Sequence, residues 1–152
     1  MDTKTEEELE SSFLTTYALI HSVLFSGYIR KQAQYTKTQI CILAALHLRR
    51  ELCMSQLAEL ISAANAQATR AVFPLIRDGL VARCADSINR KRVYIRLTEE
   101  GSAFIHEYLR SRLVFLNRSL SEEEAERLTE AVRTMAEIYN SAAGRRAALP
   151  HG

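Results

Sequence analysis

The sequence predicts a mainly α-helical chain with one small β-wing, and three observations in its middle third carry that expectation. Two short amphipathic runs flank a turn of small residues, a glycine closes the second, and two strand-like runs joined by a basic segment follow. The first run, Ser55-Gln-Leu-Ala-Glu-Leu-Ile61, sets Leu57, Ala58, Leu60 and Ile61 at helical spacing behind a hydroxyl that can cap a helix. In the second, Asn65 can cap a helix whose apolar positions are Ala68, Val72, Leu75 and Ile76. Gly79 ends it, because only glycine takes a left-handed C-cap without steric cost. The strand-like runs are Leu80 to Cys84 and Val93 to Leu97, with the polar, basic Asp86 to Arg92 between them. Helix, turn, helix and a basic-tipped hairpin make a winged helix-turn-helix.

On a helical wheel the residues opposite the apolar stripe of the second helix are Ala66, Gln67, Arg70, Pro74 and Arg77. Gln and Arg carry the bidentate donors and acceptors that match adenine and guanine edges in the major groove. The hairpin tip adds three adjacent charges, Arg90, Lys91 and Arg92, where a wing meets the minor groove or phosphates. For any one of these side chains a solvated surface is the plainer reading. Their combination points to DNA.

Charge distribution supports this. The net charge is only +2, but from Ser62 to Leu97 seven basic residues face two acidic ones. From Thr98 to Gly144 nine Glu face five Arg. A basic pole beside an acidic body suits a module whose non-specific affinity comes from phosphate contacts.

These residues also carry a family resemblance. Ser55-Gln-Leu-Ala-Glu, Thr69-Arg70, Leu75 with Gly79-Leu80-Val81 and Arg83, then Val93 with Leu97-Thr98-Glu-Glu-Gly101, fall in order, with Gln39 upstream. In this the sequence resembles the MarR-type (multiple antibiotic resistance) regulators over about Tyr35 to Leu109. The resemblance implies a homodimeric transcriptional regulator, most often a repressor, that responds to small phenolic or lipophilic ligands or to oxidants. On the reading of the second helix and the hairpin tip, Asn65, Gln67, Thr69, Arg70 and Arg77 are expected to meet the DNA, with Arg90, Lys91 and Arg92 clamping it. Two departures stand out. The family's wing usually reads Asp-x-x-Asp-x-Arg, whereas here the run is Asp86-Ser87-Ile88-Asn89-Arg90-Lys91, so a point charge replaces the planar fork and the groove contact falls to Arg90 or Arg92. Pro74 is the other; inside a helix it removes a backbone hydrogen bond and clashes with the preceding turn, so a kink or irregular turn is expected near Phe73.

Taken in order, residues 1–8 are polar and expected to fray. From Leu9 a helix is expected, with Leu9, Phe13, Tyr17, Ile20, Leu24 and Tyr28 in one stripe widened by Leu19 and Val23. So apolar a helix calls for a partner subunit, the alternative being cover by the chain's own C-terminal helices. Thr36 and Gln39 form a capping box for a helix with Ile40, Leu43, Leu46 and His47 inside, ending near Arg49-Arg50. Leu52-Cys53-Met54 is expected to be a first strand pairing with the wing. Thr98 caps a helix bearing Phe104, Ile105, Tyr108, Leu109, Leu113 and Leu116. Ser121 and Glu124 open a last helix with Leu128, Val132, Met135, Ile138 and Tyr139 on one side, which Gly144 can end. The expected organisation is a dimerisation helix in residues 1–34, the winged module in 35–97, dimerisation helices in 98–144 and a loose tail in 145–152. A symmetric dimer would read a pseudo-palindromic operator with half-sites about 34–36 Å apart or a multiple of that.

With 152 residues, 47% of them hydrophobic, the chain can bury one good core and nothing demands a second. No apolar run has membrane-spanning length, the acidic N-terminus is unlike a signal peptide, and three irregularly spaced cysteines suit a reducing compartment, so a cytoplasmic protein is expected. Neither a phosphate-binding loop nor a hydrolase or metalloprotease motif is present, which argues against an enzyme, and no cofactor is expected. The histidines lack metal-ligand spacing; convergence of His21, His47 and His106 is the alternative. If the family's ligand pocket is shared, its polar-tipped candidates are Tyr17, His21, Tyr28 and His47, against a role as core or interface residues. Redox control through Cys53 or Cys84, the latter beside Arg83, is a competing input. A protein-interaction module that has lost DNA binding is the competing function.

Overall fold

A computed structural model describes residues 2–26, 33–85 and 93–147. Among the described residues, nine elements follow one another: α1 (Thr3–Phe25), α2 (Lys37–Arg49), β1 (Glu51–Cys53), α3 (Met54–Leu60), α4 (Asn65–Arg77), β2 (Val81–Ala85), β3 (Val93–Leu97), α5 (Glu99–Ser119) and α6 (Glu122–Ala147). The chain divides into two compact units, Met1–Arg112 and Leu113–Gly152.

In the first unit, α1 starts well before the apolar stripe does. The Asp2 carboxylate accepts a hydrogen bond from Thr5 N at 2.8 Å, so a polar cap, which hydrophobic periodicity does not register, sets the start and corrects the frayed segment expected over residues 1–8. The helix ends at Phe25, and Tyr28 lies outside the described residues. In α2 the capping box forms as expected: Gln39 N donates to Thr36 Oγ1 at 3.2 Å and Thr36 N to Gln39 Oε1 at 2.9 Å. Arg50 at φ 60° turns the chain from α2 into β1.

The strand order is β1-β3-β2, all antiparallel, with Leu52 opposite Ile95 and Arg83 opposite Ile95 on the other side. The first strand thus pairs with the wing hairpin. From β1 the chain passes directly into α3. Its cap position is Cys53, whose N–H donates to Gln56 Oε1 at 3.0 Å, and Ser55 sits in the first turn rather than capping it.

Helix α4 likewise begins one residue earlier than a cap at Asn65 requires. Ala64 is the cap, without a side-chain bond, and Asn65 is already helical. The irregular turn expected near Phe73 is absent: α4 continues through Pro74 to Arg77. Proline costs the bond to the Arg70 carbonyl, but it sits in the last turns, where Val72 and Leu75 are buried and hold the helix to the core. Gly79, at φ 77°, closes the end as expected, with Gly79 N bonded to Ile76 O at 3.1 Å and Leu80 N to Leu75 O at 2.9 Å.

Among the described residues, the largest fully buried side chains are Ile42, Leu43 and Leu46 of α2, Leu57 of α3, Leu75 of α4, Val81 and Ile95 of the sheet, and Ile105 of α5. They place the core behind the helix-turn-helix. Thr98 joins the layers, its hydroxyl donating to Gly79 O at 2.6 Å and accepting from Gly101 N at 3.0 Å. Tyr108 of α5 donates to Leu24 O of α1 at 2.8 Å, and the Arg112 guanidinium bonds Ser26 O.

In the second unit, Ser121 and Glu124 form the second capping box, with Ser121 N to Glu124 Oε2 at 2.8 Å. Helix α6 then runs past Gly144 to Ala147, so that glycine does not end it and the tail expected from residue 145 is helical in its first residues. A glycine inside a helix costs about 1 kcal/mol but stops it only in a left-handed conformation. In the single chain, most of the large apolar side chains that stay exposed lie on α1 and α6, among them Phe13, Tyr17 and Leu19 of α1 and Val132, Ile138 and Tyr139 of α6; α1 buries none of its residues. Among the described residues, no helix is long and apolar enough to cross a membrane.

Candidate nucleic-acid interface

Helices α3 and α4 pack through Leu57 and Ala58 on one and Ala68, Val72 and Leu75 on the other. With those three positions turned inward, 3.6 residues per turn leave Asn65, Gln67, Thr69, Arg70, Phe73 and Arg77 exposed. Behind α4 the buried Gln39 donates through Nε2 to Ala71 O at 3.1 Å, tying α2 to the middle of the helix. Along this same contact, Thr36, Lys37, Thr38 and Gln39 of the α2 start and Gln67, Arg70 and Ala71 of α4 line an open hollow of about 850 Å³. Two cationic side chains, Lys37 and Arg70, therefore border one concave surface.

Each expected contact residue has its own setting. Gln67 and Arg70 project from the first half of α4. Asn65 lies in its first turn, and Thr69 turns its hydroxyl back to donate to Asn65 O at 2.8 Å, an i−4 bond of the kind that slightly loosens a helix rather than strengthening it. Arg77, at the far end, donates through Nε to Asp78 Oδ1 at 2.8 Å. The other Asp78 oxygen accepts from the buried Tyr35 Oη at 3.1 Å, which in turn accepts from Gln34 Nε2 at 3.2 Å. Asp78 thus orients the last arginine of the helix and anchors it to the segment preceding α2. Arg90, Lys91 and Arg92 lie outside the described residues, as does the altered wing motif.

The hydrogen bond from Arg77, helped by Tyr35, holds the Asp78 carboxyl below the ordinary carboxylate range. A carboxyl depressed in the folded state contributes stability above its unfolded pKa, and that contribution is lost as pH falls through the folded value. Thermal unfolding followed downward from about pH 5 should therefore show a loss that Asp78→Asn reduces. Parallel pH profiles for the two proteins would contradict it.

Of the ligand candidates, Tyr17 and His21 come together. With Phe25, Lys37, Cys41 and Leu48 they line a hollow of about 670 Å³ within the first unit, the Tyr17 and His21 rings 5.8 Å apart. His47 is elsewhere: its ring meets His106 edge-on at 4.7 Å. The three-histidine convergence is not seen, since the ring neighbours of His21 are Tyr17 and Phe25. Among the described residues, no group of three His, Cys, Asp or Glu could hold a metal. Cys53 and Cys84 both pair with Tyr94, from opposite sides of β3. The hydrogen bond with Ser55 Oγ, at 3.1 Å, lowers the Cys53 thiol below its usual range. The wheel reading missed Phe73, which the structure exposes on the same ridge as Arg70 and Arg77; its angular position was the available signal.

Two packed helices closed by a left-handed glycine, a three-stranded sheet with an antiparallel wing, and long helices before and after define a winged helix-turn-helix protein. The fold is that of the MarR-type regulators. The transcriptional regulator Tm0710 from Thermotoga maritima shares it at 18% identity and a TM-score of 0.65, over 90% of this chain and 98% of that one. A mutant MarR from E. coli complexed with operator DNA matches at 18% identity and 0.52, over 89% and 99%. BpsR of Bordetella bronchiseptica, whose DNA binding is regulated by 6-hydroxynicotinic acid, matches at 19% and 0.52, over 83% and 91%. No family model and no curated protein matches the sequence.

Proposed function

We propose that the chain is a homodimeric, sequence-specific DNA-binding regulator of the MarR type, a repressor released by a small aromatic or lipophilic ligand. The observation that carries the proposal is the outer face of α4: Gln67 and Arg70 stand clear of a helix tied to α2 by Gln39, beside the Lys37-bordered hollow, with Arg77 exposed at its end and held through Nε by Asp78. Of the similar structures, that of the mutant MarR holds operator DNA. Arg90, Lys91 and Arg92 remain part of the proposal through their charge. Selection from a random DNA pool tests it: enrichment of a pseudo-palindromic sequence supports it. Weak, salt-sensitive binding without enrichment would favour the protein-interaction module instead.

The exposed apolar faces of α1 and α6 support dimerisation, because monomers rarely leave such area in water. Phe13→Asp puts a charge on one of these faces. Sedimentation should then report half the mass of the wild type, and DNA affinity should fall about 30-fold or more, since one half-site contributes on the order of 2 kcal/mol or more. A variant that remains a dimer would place the interface elsewhere.

The effector reading rests on the hollow beside Tyr17 and His21, with an apolar floor and few polar tips. A ligand lowers DNA affinity only by binding the two states unequally. In a panel of hydroxylated aromatic acids, at least one should weaken DNA binding tenfold in the wild type and have little effect in His21→Ala, whose ligand-free affinity is unchanged. An effect equal in both proteins would remove His21 from the site.

A further inference from the structure

A large aromatic stands on the outward ridge of α4 among its arginines. Phe73 is 62% exposed, on the side of the helix away from Ala68, Val72 and Leu75. At 3.6 residues per turn it shares an arc of roughly 60° with Ala66, Arg70 and Arg77. It is three residues beyond Arg70 and four before Arg77, the spacing at which side chains on a helix surface are neighbours. Helix propensity does not account for it, since an exposed Phe is a poorer helix former than Ala or Leu, and among the described residues it stays mostly uncovered.

From this placement we infer that Phe73 reads the 5-methyl group of a thymine in the major groove, next to the base edge addressed by Arg70. The inference rests on the DNA-binding reading above. A helix that brings the Arg70 guanidinium to a base edge carries Phe73 into the groove with it, less than one turn further along. A phenyl ring has no hydrogen bond to offer a base edge. The apolar feature displayed in that groove is the thymine methyl, which side chains such as Phe contact. Ala66, small and on the same ridge, leaves the approach open. The half-site is accordingly expected to pair a guanine, read by Arg70, with a nearby thymine.

The test uses the DNA selected by the wild-type protein. Each thymine of a half-site is replaced singly by deoxyuridine, which deletes only the methyl group, and affinity is measured at low salt for the wild type and for Phe73→Ala. Wild-type binding should weaken about fourfold at one thymine, the value of one buried methyl. Phe73→Ala should unfold at or slightly above the wild-type temperature, bind the unmodified site more weakly than the wild type binds a singly substituted uridine site because the dimer loses both contacts, and show no further loss with uridine. Tolerance of every uridine by the wild type, or an equal uridine effect in both proteins, would overturn the assignment and leave the DNA-binding reading standing. If selection enriches no sequence, that reading fails and this assignment falls with it.

Discussion

Arg70→Ala is expected to abolish sequence-specific DNA binding while leaving the fold intact. The side chain is exposed on the first half of α4, and none of the buried core positions is altered by its removal. A bidentate arginine contact to guanine discriminates against the wrong base by about 1–3 kcal/mol. A symmetric dimer makes the contact twice, so the loss on the selected site should be at least about 30-fold and reach about 1,000-fold or more if both contacts are strong. Arg70→Lys separates the two parts of the effect. It keeps the charge, and with it most non-specific affinity and its salt dependence, but lacks the fork that matches the base edge. The expected result is therefore loss of sequence preference without loss of weak binding. Unchanged specificity in both variants would mean that α4 does not read the bases.

The largest expected effect on stability is at Gly101. A Cβ added there would stand 1.9 Å from Leu80 O and 2.8 Å from Leu80 C, both backbone atoms, and 3.1 Å from Leu97 Cδ2. No side-chain rotation relieves such an overlap, so either α5 or the start of β2 must shift. The same carbonyl accepts from Thr98 N at 3.1 Å, and the Thr98 hydroxyl bridges Gly79 O and Gly101 N, so a shift disturbs the whole joint between the wing and α5. Overpacking of this kind typically costs about 1–3 kcal/mol, and a backbone collision belongs at or above the upper end. Gly101→Ala should lower the unfolding temperature by about 6–12 °C, since about 1 kcal/mol corresponds to roughly 2–4 °C in a domain of about 150 residues. A variant as stable as the wild type would mean that α5 does not approach Leu80 so closely.

Several helix ends were legible in the sequence because local chemistry sets them. Thr36 with Gln39, Ser121 with Glu124, Thr98 and Gly79 each act within a few residues of themselves, and each marks the helix end it was expected to mark. The boundaries at Ser55 and Asn65 were displaced because an oxygen-bearing side chain near a helix start need not be its cap. At α3 the side chain of Gln56 reaches back to Cys53 instead, and at α4 the cap is Ala64. Pro74 misled in the other direction: its local cost is real, but burial of the neighbouring Val72 and Leu75 outweighs it.

The candidate interface divides the same way. Gln67, Arg70 and Arg77 follow from helical period and needed no tertiary information. The support that Tyr35 gives to Asp78 in its clasp of Arg77, the Lys37 border of the hollow, and the separation of His47 from His21 depend on which elements pack together, and periodicity within one helix carries no trace of that. Phe73 was readable from its wheel position; a large aromatic at that angle belongs to the outer face.

Hydroxyl-radical footprinting of the wild-type protein on its selected DNA tests the placement of α4 most directly. Two protected half-sites on one face of the duplex, about 34–36 Å apart or a multiple of that and related by an inverted repeat, are the expected result, since a two-fold dimer presents its recognition helices that way. A single unpaired half-site, or protection without any sequence preference, would contradict a dimer that reads DNA through α4.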